Sequence, residues 1–233
     1  MNSKEDTYTL VVCRGASTQY VIDNISLVER SSNIIQVNSW GDDKPSFFFE
    51  NTRKLTIFSN AKITTSPQLL GKISCSACDA KIIFARSWHD MASFYNIENN
   101  LYYISLKSTG LIDIVKEAWG YHDAGLNSIF HSAGLSKRIV ITGFDLWESP
   151  YLSCIGAAET RIDPGWTNEK ISRRDRRNAG KEIKFKILDF LFEFMRKWNY
   201  TTFHFYTLSK TLYERQKEEK LPNVTVELIE KSQ

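Results

Sequence analysis

Lys107-Ser108-Thr109-Gly110 and Gly143-Phe144-Asp145 are the residues of this 233-residue chain whose types and spacing point most directly to chemistry. Each group follows an apolar run of strand length, and a stretch of helical pattern separates the two. Two hydroxyls, a cation and a glycine at the first turn suit contacts to an anion or a sugar hydroxyl. The same Ser108 and Thr109 serve equally as N-caps of a following helix. Asp145, at the second strand end, has the reach to bond a ribose or sugar hydroxyl, or to cap its own loop. Ligands of open parallel sheets lie in the crevice outside the carboxyl ends of the strands. The two turns are therefore expected to form two walls of one crevice.

Other residues add to this set. Cys13-Arg14-Gly15-Ala16-Ser17-Thr18 follows the first strand and leads into a helix. Glycine there lets a backbone approach a phosphate, and N–H groups at a helix start favour an anion; an ordinary tight strand–helix turn reads the same way. Trp147 and Tyr151 follow Asp145. A phenol such as Tyr151 can donate to a departing phosphate oxygen, or both rings can pack in an apolar loop. Arg173, Arg174, Arg176 and Arg177 occupy four of five positions around Asp175. They suit phosphate or carboxylate recognition, or form a solvated face before a helix. Of the histidines His89, His122, His131 and His204, none has metal-ligand spacing. His204 falls inside a strand, where burial on the sheet is expected. His122 and His131 lie between the two turns and are the general-base candidates. Cys75 and Cys78 have CxxC spacing without a second pair, which favours reduced thiols over a zinc site. No metal is expected.

The elements that must position these residues read as an alternating α/β chain. Strands are expected at 8–13, 33–37, 54–58, 81–85, 101–106, 137–142, 202–207 and 224–229. Near-continuous apolar character, as in Ile139-Val140-Ile141, suggests strands covered on both faces, as parallel sheets are. Short polar residues follow almost every run, which would build a polar rim along one sheet edge. The clearest helix spans 181–198, with Ile183, Ile187, Leu188, Leu191, Phe192, Met195 and Trp198 on one stripe. Another pattern runs from Thr109 to Phe130 and is interrupted at Gly120 and Gly125, predicting two helices or a kink. Residues 146–180 carry Pro150 and Pro164 without clear period and read as a lid or acceptor-binding segment. The whole is expected to form an α/β domain, a mostly parallel sheet flanked by helices.

Bulk composition narrows the classes. An apolar content of 42% and an aromatic content of 13% exclude a disordered chain. No apolar run approaches the roughly 18 residues of a membrane span, and the polar start is unlike a signal peptide. Four cysteines make no disulfide framework. A net charge of +3 is too small to point to nucleic acid. The expected compartment is the cytoplasm. Arg215–Lys220 reads as a solvated helix face, which leaves open peripheral attachment at the inner face of a membrane, and self-association is equally open.

Taken in order, the turns resemble those of the bacterial lipo-oligosaccharide sialyltransferases, glycosyltransferase family 42. The family's first Gly-Asn-Gly-Pro-Ser-type turn is matched by Arg14-Gly15-Ala16-Ser17, its second strand end by Val37-Asn38, and its Asn-Pro-Ser-like turn by Ser59-Asn60-Ala61. Its Thr-Ser-Gly helix start is similar to Ser108-Thr109-Gly110, and its Gly-Ile-Asp-Phe-Tyr to Gly143-Phe144-Asp145-Leu146-Trp147. The resemblance implies one Rossmann-like domain, a GT-A-like variant binding a CMP-activated acidic sugar as co-substrate, with no metal and no other cofactor, and inverting transfer to a glycan acceptor. It implies that Gly15, Ala16, Ser17, Asn38, Asn60, Ser108, Thr109 and Gly110 hold cytidine and phosphate, with Asp145 and Trp147 at the donor as well. Tyr151 would assist phosphate departure, while Trp147 stands where the family has its other tyrosine. Arg173, Arg174, Arg176 and Arg177 would hold a donor carboxylate or an anionic acceptor. The slot of the family's base reads Arg176-Arg177-Asn178-Ala179-Gly180, without histidine. The base is then displaced to His122, His131, Asp163 or Asp175, the donor or acceptor differs, or the chain binds a nucleotide sugar without turning it over.

Overall fold

The computed structural model describes residues 7–13, 15–37, 55–59, 81–84, 101–102, 124–146, 148–149 and 181–229. Strands and helices alternate: β1 Tyr8–Val12, α1 Gln19–Asp23, α2 Ser26–Arg30, β2 Ser31–Val37, β3 Leu55–Ser59, β4 Lys81–Phe84 and β5 Leu101–Tyr102, then α3 Ala124–Ala133, β6 Arg138–Thr142, α4 Lys181–Lys197, β7 Thr202–Thr207, α5 Lys210–Glu219 and β8 Val224–Leu228. A single 3₁₀ turn, Ala16–Thr18, leads into α1. No helix among the described residues is long and apolar enough to cross a membrane.

The strands form one sheet in the order β5-β4-β3-β2-β1-β6-β7-β8, and every neighbouring pair is parallel. This is an α/β fold with a parallel sheet flanked by helices, compatible with the Rossmann-like expectation. The chain winds outward from β1 to β5, returns to the other side of β1 as β6, and winds outward again to β8. Crossovers between parallel strands are right-handed, so reversing the direction of travel moves the connecting helix to the other face. Accordingly α2 packs on one face of β1 and β2. On the opposite face, Val11, Ile139, Ile141 and Phe203 share a buried cluster with Phe130 of α3, Leu191 of α4 and Leu212 of α5.

Ser108–Gly110, expected to face the Gly143–Asp145 turn, lie outside the described residues. β5 stands at one edge of the sheet, five strand spacings from β6, or about 24 Å. The neighbour of β6 is β1, with Thr9 opposite Ile139 and Val12 opposite Thr142. The turn across from Gly143–Asp145 is therefore the one after β1.

Three further differences are local. The helix expected after the first turn is broken at Asn24 (φ −125°, ψ 64°), whose side-chain amide bonds the Tyr20 carbonyl at 2.8 Å and so competes with the helical ladder. Helix α3, described from Ala124, runs through Gly125, where an interruption was expected; the one expected at Gly120 lies outside the described residues. Coverage on both faces holds for β1, which is buried throughout. It fails for β7 and β8, whose patterns alternate. Phe203 and Phe205 face the helices, whereas His204 and Tyr206 line the other face, with Thr225 and Glu227 exposed beside them. On that half of the sheet Tyr20 of α1 stacks on Tyr206, and His204 and Tyr206 stay partly exposed.

Helix α4 supplies most of the core. Ile187, Leu188, Leu191, Phe192, Phe194 and Met195 are all at most 1% exposed, and each such side chain contributes about 2 kcal/mol by leaving water. Phe194, outside the stripe read from the sequence, fits between Phe130 at 4.3 Å and Trp198 at 5.2 Å between ring centroids.

Candidate functional site

Between β1 and β6 the order of strands reverses, and in open α/β sheets a crevice forms at the carboxyl ends of such a pair. Two glycines bring the two strand ends together. The Gly15 amide donates to the Gly143 carbonyl at 2.8 Å, and the Cys13 amide to the Thr142 carbonyl at 2.8 Å. Gly143 has φ +72°, a conformation open to glycine at little cost.

Ser17 is the centre of the next layer. Its hydroxyl accepts from the Gly143 amide at 2.7 Å and donates to Oδ1 of Asp145 at 2.6 Å. Its amide donates to Oδ2 of Asp145 at 2.9 Å. Thr142 donates its hydroxyl to the Ser17 carbonyl at 2.8 Å, and Thr18 donates to the Cys13 carbonyl at 2.7 Å. All of these side chains are buried, Ser17 completely. A β-turn-helix connection that looks open in the sequence is in fact locked to β6.

Asp145 is 3% exposed and accepts from further groups. The Ser149 hydroxyl donates to Oδ2 at 2.5 Å, and the Leu208 amide to Oδ1 at 3.0 Å. The Thr207 hydroxyl lies 2.9 Å from Oδ1 and 3.1 Å from the Phe144 carbonyl, sharing one proton between them. Ser149 in turn accepts from the Ala16 amide at 2.9 Å. One carboxylate thus ties together the ends of β1, β6 and β7. Leu146 holds φ +48° just beyond it, at a cost of about 1–2 kcal/mol for a residue with a Cβ, and this turn lets the Glu148 amide reach the Asp145 carbonyl at 2.8 Å.

Two flanks complete the rim. On the side of α4 and α5, the Glu148 carboxylate accepts from the amide and hydroxyl of Thr211 and pairs with Lys184 at 3.7 Å. Ser209 caps α5, accepting from the Leu212 amide at 3.1 Å. On the other face Tyr20 and Tyr206 stack at 4.4 Å, and Tyr206 stacks on His204 at 4.5 Å, which pairs with Glu227 at 2.8 Å. Burial, and then the neighbouring Glu227 and Tyr20, push the Tyr206 phenol up to about 12.

The structure thus brings Gly15, Ala16, Ser17 and Asp145 of the expected residues into one cluster. His131 lies elsewhere. It occupies the last turn of α3, from which Gly134–Lys137 lead directly into the start of β6, at the edge of the sheet opposite the crevice. Burial holds its imidazole below the ordinary value of 6.5. A general-base role at the crevice is not assigned to it for that reason. His204 sits three residues before the end of β7, about 10 Å down the strand. Asn38, Asn60, Ser108, Thr109, Gly110, His122, Trp147, Tyr151, Asp163, Arg173, Arg174, Asp175, Arg176, Arg177 and the Cys75–Cys78 pair lie outside the described residues.

Ser149, Thr207, Leu208 and Ser209 are the residues of the cluster that sequence reasoning missed. Thr207-Leu208-Ser209 follows β7 as the other polar turns follow their strands, and the same rule applied there would have found it. Ser149 stands four residues after Asp145 without a local signal. Among the described residues no group of three or more acidic, histidine or cysteine side chains is arranged to hold a metal ion. Chemically, the arrangement is a buried, hydroxyl-rich cluster at the carboxyl ends of β1, β6 and β7 whose central carboxylate is spent on internal donors.

Compared with protein-family models, with curated proteins and with solved structures, the chain finds no match.

Proposed function

We propose that the chain is an inverting glycosyltransferase of GT-A-like, Rossmann-type architecture. In this reading it moves sialic acid, or a related acidic sugar such as Kdo, from a CMP-activated donor to a glycan of lipo-oligosaccharide or capsule type. The observation that carries the reading is the pairing of β1 with β6 at the point where strand order reverses, with the Gly15–Ser17 and Gly143–Asp145 turns meeting at its carboxyl end. The order of strand-end turns along the chain, which resembles that of family 42, adds the ligand class. Direct displacement at the anomeric carbon needs a base on the acceptor hydroxyl and stabilisation of the departing phosphate; Tyr151 and the turn hydroxyls are assigned to the second task. Work at the inner face of a membrane, where such glycans are built, belongs to the same proposal. Millimolar CMP should raise the melting temperature, and Asn38→Ala or Asn60→Ala should abolish the rise. An unchanged melting temperature overturns the proposal.

A second reading is a catalytically silent nucleotide-sugar-binding or interaction protein on the same fold. It is favoured by the position of His131 at the opposite sheet edge and by the complete internal use of the Asp145 oxygens. Incubation with CMP-sialic acid alone separates the two, because an active transferase slowly hydrolyses its donor. Release of free sialic acid supports the enzyme. CMP binding without hydrolysis or transfer supports the silent protein.

A further inference from the structure

We infer that Asp145 and Ser149 fill, from within the chain, the anion position of the turn after β1, so that the crevice holds its donor without placing phosphate on the amides of Ala16 and Ser17. The inference rests on the reading of the crevice as a nucleotide-sugar site and narrows how that site is used.

In a strand–turn–helix connection of a parallel sheet, the amides that open the helix are the usual phosphate contacts, and a glycine before them allows close approach. Both parts are present here, but an internal group has taken the place of the ligand. The group approaching Gly15 is Asp145. A Cβ built on Gly15 would lie 2.4 Å from its Oδ2 and 2.7 Å from its Cγ. The Ser17 amide is bonded to Oδ2 at 2.9 Å, and the Ala16 amide to the Ser149 hydroxyl at 2.9 Å. Ser17 is fully buried and Asp145 is 3% exposed. A phosphate could take these amides only by displacing the carboxylate. That would strand the Ser17 hydroxyl and the Leu208 amide, which donate to Oδ1, and leave the Thr207 hydroxyl with the Phe144 carbonyl alone. A phosphate arriving beside Asp145 would also meet a like charge. Donor phosphate must therefore be met by another part of the rim, and the β1 turn is left to shape the crevice wall.

Amide resonances of Ala16 and Ser17 test this in the full-length protein, titrated separately with CMP and with inorganic pyrophosphate. Both amides are expected to stay in place, without coupling to phosphorus, under either probe, while CMP raises the melting temperature. A shift of both amides with phosphorus coupling overturns the inference and leaves the nucleotide reading intact. Absence of any CMP effect overturns the nucleotide reading, and the pyrophosphate titration still decides whether the turn is closed. In Asp145→Ser the vacated position should admit pyrophosphate, with at least tenfold tighter binding than wild type and a shift at the Ser17 amide. If that variant does not fold, Ser149→Ala releases the Ala16 amide alone and should gain the same response there. A folded variant that gains nothing overturns the inference.

Discussion

Gly15 and Asp145 are in such close contact that a methyl group on the glycine would stand 2.4 Å from a carboxylate oxygen and 2.6 Å from the carbonyl oxygen of Gly143. The latter is backbone, and the former is held by the Ser17 amide and the Ser149 hydroxyl, so neither can yield cheaply. Gly15→Ala should lower stability by about 3 kcal/mol, the upper part of the usual range for overpacking. Gly143→Ala should cost at least as much, because its φ of +72° adds left-handed strain to a Cβ that would meet the Cys13 carbonyl oxygen at 2.3 Å. Gly134→Ala is the control. Its Cβ meets only the His131 carbonyl oxygen, at 3.4 Å, so a change within about 0.5 kcal/mol is expected. Urea unfolding of the three variants measures the ranking.

The Asp145 network makes a second, less intuitive forecast. Asp145→Ala takes the shared acceptor from five donor groups, of which the Thr207 hydroxyl keeps the Phe144 carbonyl, and should cost about 3 kcal/mol or more, since each buried unpaired group costs about 1–3 kcal/mol. Asp145→Asn preserves shape but should rescue little. One oxygen faces the Ser17 amide and the other the Leu208 amide, and neither backbone N–H can turn away. Whichever way the new amide is flipped, its NH₂ group points at a donor. A loss of about 2 kcal/mol in urea unfolding, at unchanged denaturant slope, is the expected result. Near-wild-type stability of Asp145→Asn would show that the carboxylate's second oxygen is dispensable.

Much of this fold was legible because parallel strands announce themselves by short apolar runs with polar turns after them. Ile139-Val140-Ile141 and Leu10-Val11-Val12 could be read that way without reference to their neighbours. What such runs do not encode is lateral order. The run at Leu101 and the run at Arg138 are consecutive strands in the sequence and stand five positions apart in the sheet, because the return crossover passes over β1 to β4. The pairing of Gly15 with Asp145 was illegible for the same reason, being a contact across 130 residues. The half-open face of β7 and β8 was visible as alternation in Thr202–Thr207, where His204 and Tyr206 interleave with Phe203 and Phe205.

Ser209 offers a test of how the end of β7 is secured. Its hydroxyl is buried, caps α5 by accepting from the Leu212 amide, and follows directly on Thr207 and Leu208, which bond Asp145. Ser209→Ala should cost about 1 kcal/mol, as removal of an N-cap hydroxyl usually does, whereas Ser209→Thr keeps a capping oxygen and should cost less. Thermal melts of the two variants, read beside wild type, measure the difference. Equal losses would mean that packing of the Ser209 side chain, and not its bond to Leu212, is what matters.

The final prediction concerns pH and follows from the burial of His131. Its folded-state pKa lies below the ordinary 6.5 because desolvation disfavours the imidazolium. Between the folded and unfolded values the unfolded chain binds more protons, so stability rises with pH in that window. The contribution is complete above 6.5, declines as pH falls below it, and is spent once pH has passed the folded value. The slope it adds is at most about 1.4 kcal/mol per pH unit, one proton's worth. His131→Gln removes the titrating group and should flatten the stability profile across that window, whatever it does to the plateau at neutral pH. Unfolding free energies of both proteins, measured from neutral to mildly acidic pH, give the comparison through the difference in slope, which other titrating groups common to both chains cancel. Parallel profiles would mean that His131 takes up its proton as readily in the folded chain as in the unfolded one, and that the closed packing of α3 against the sheet does not extend to its imidazole.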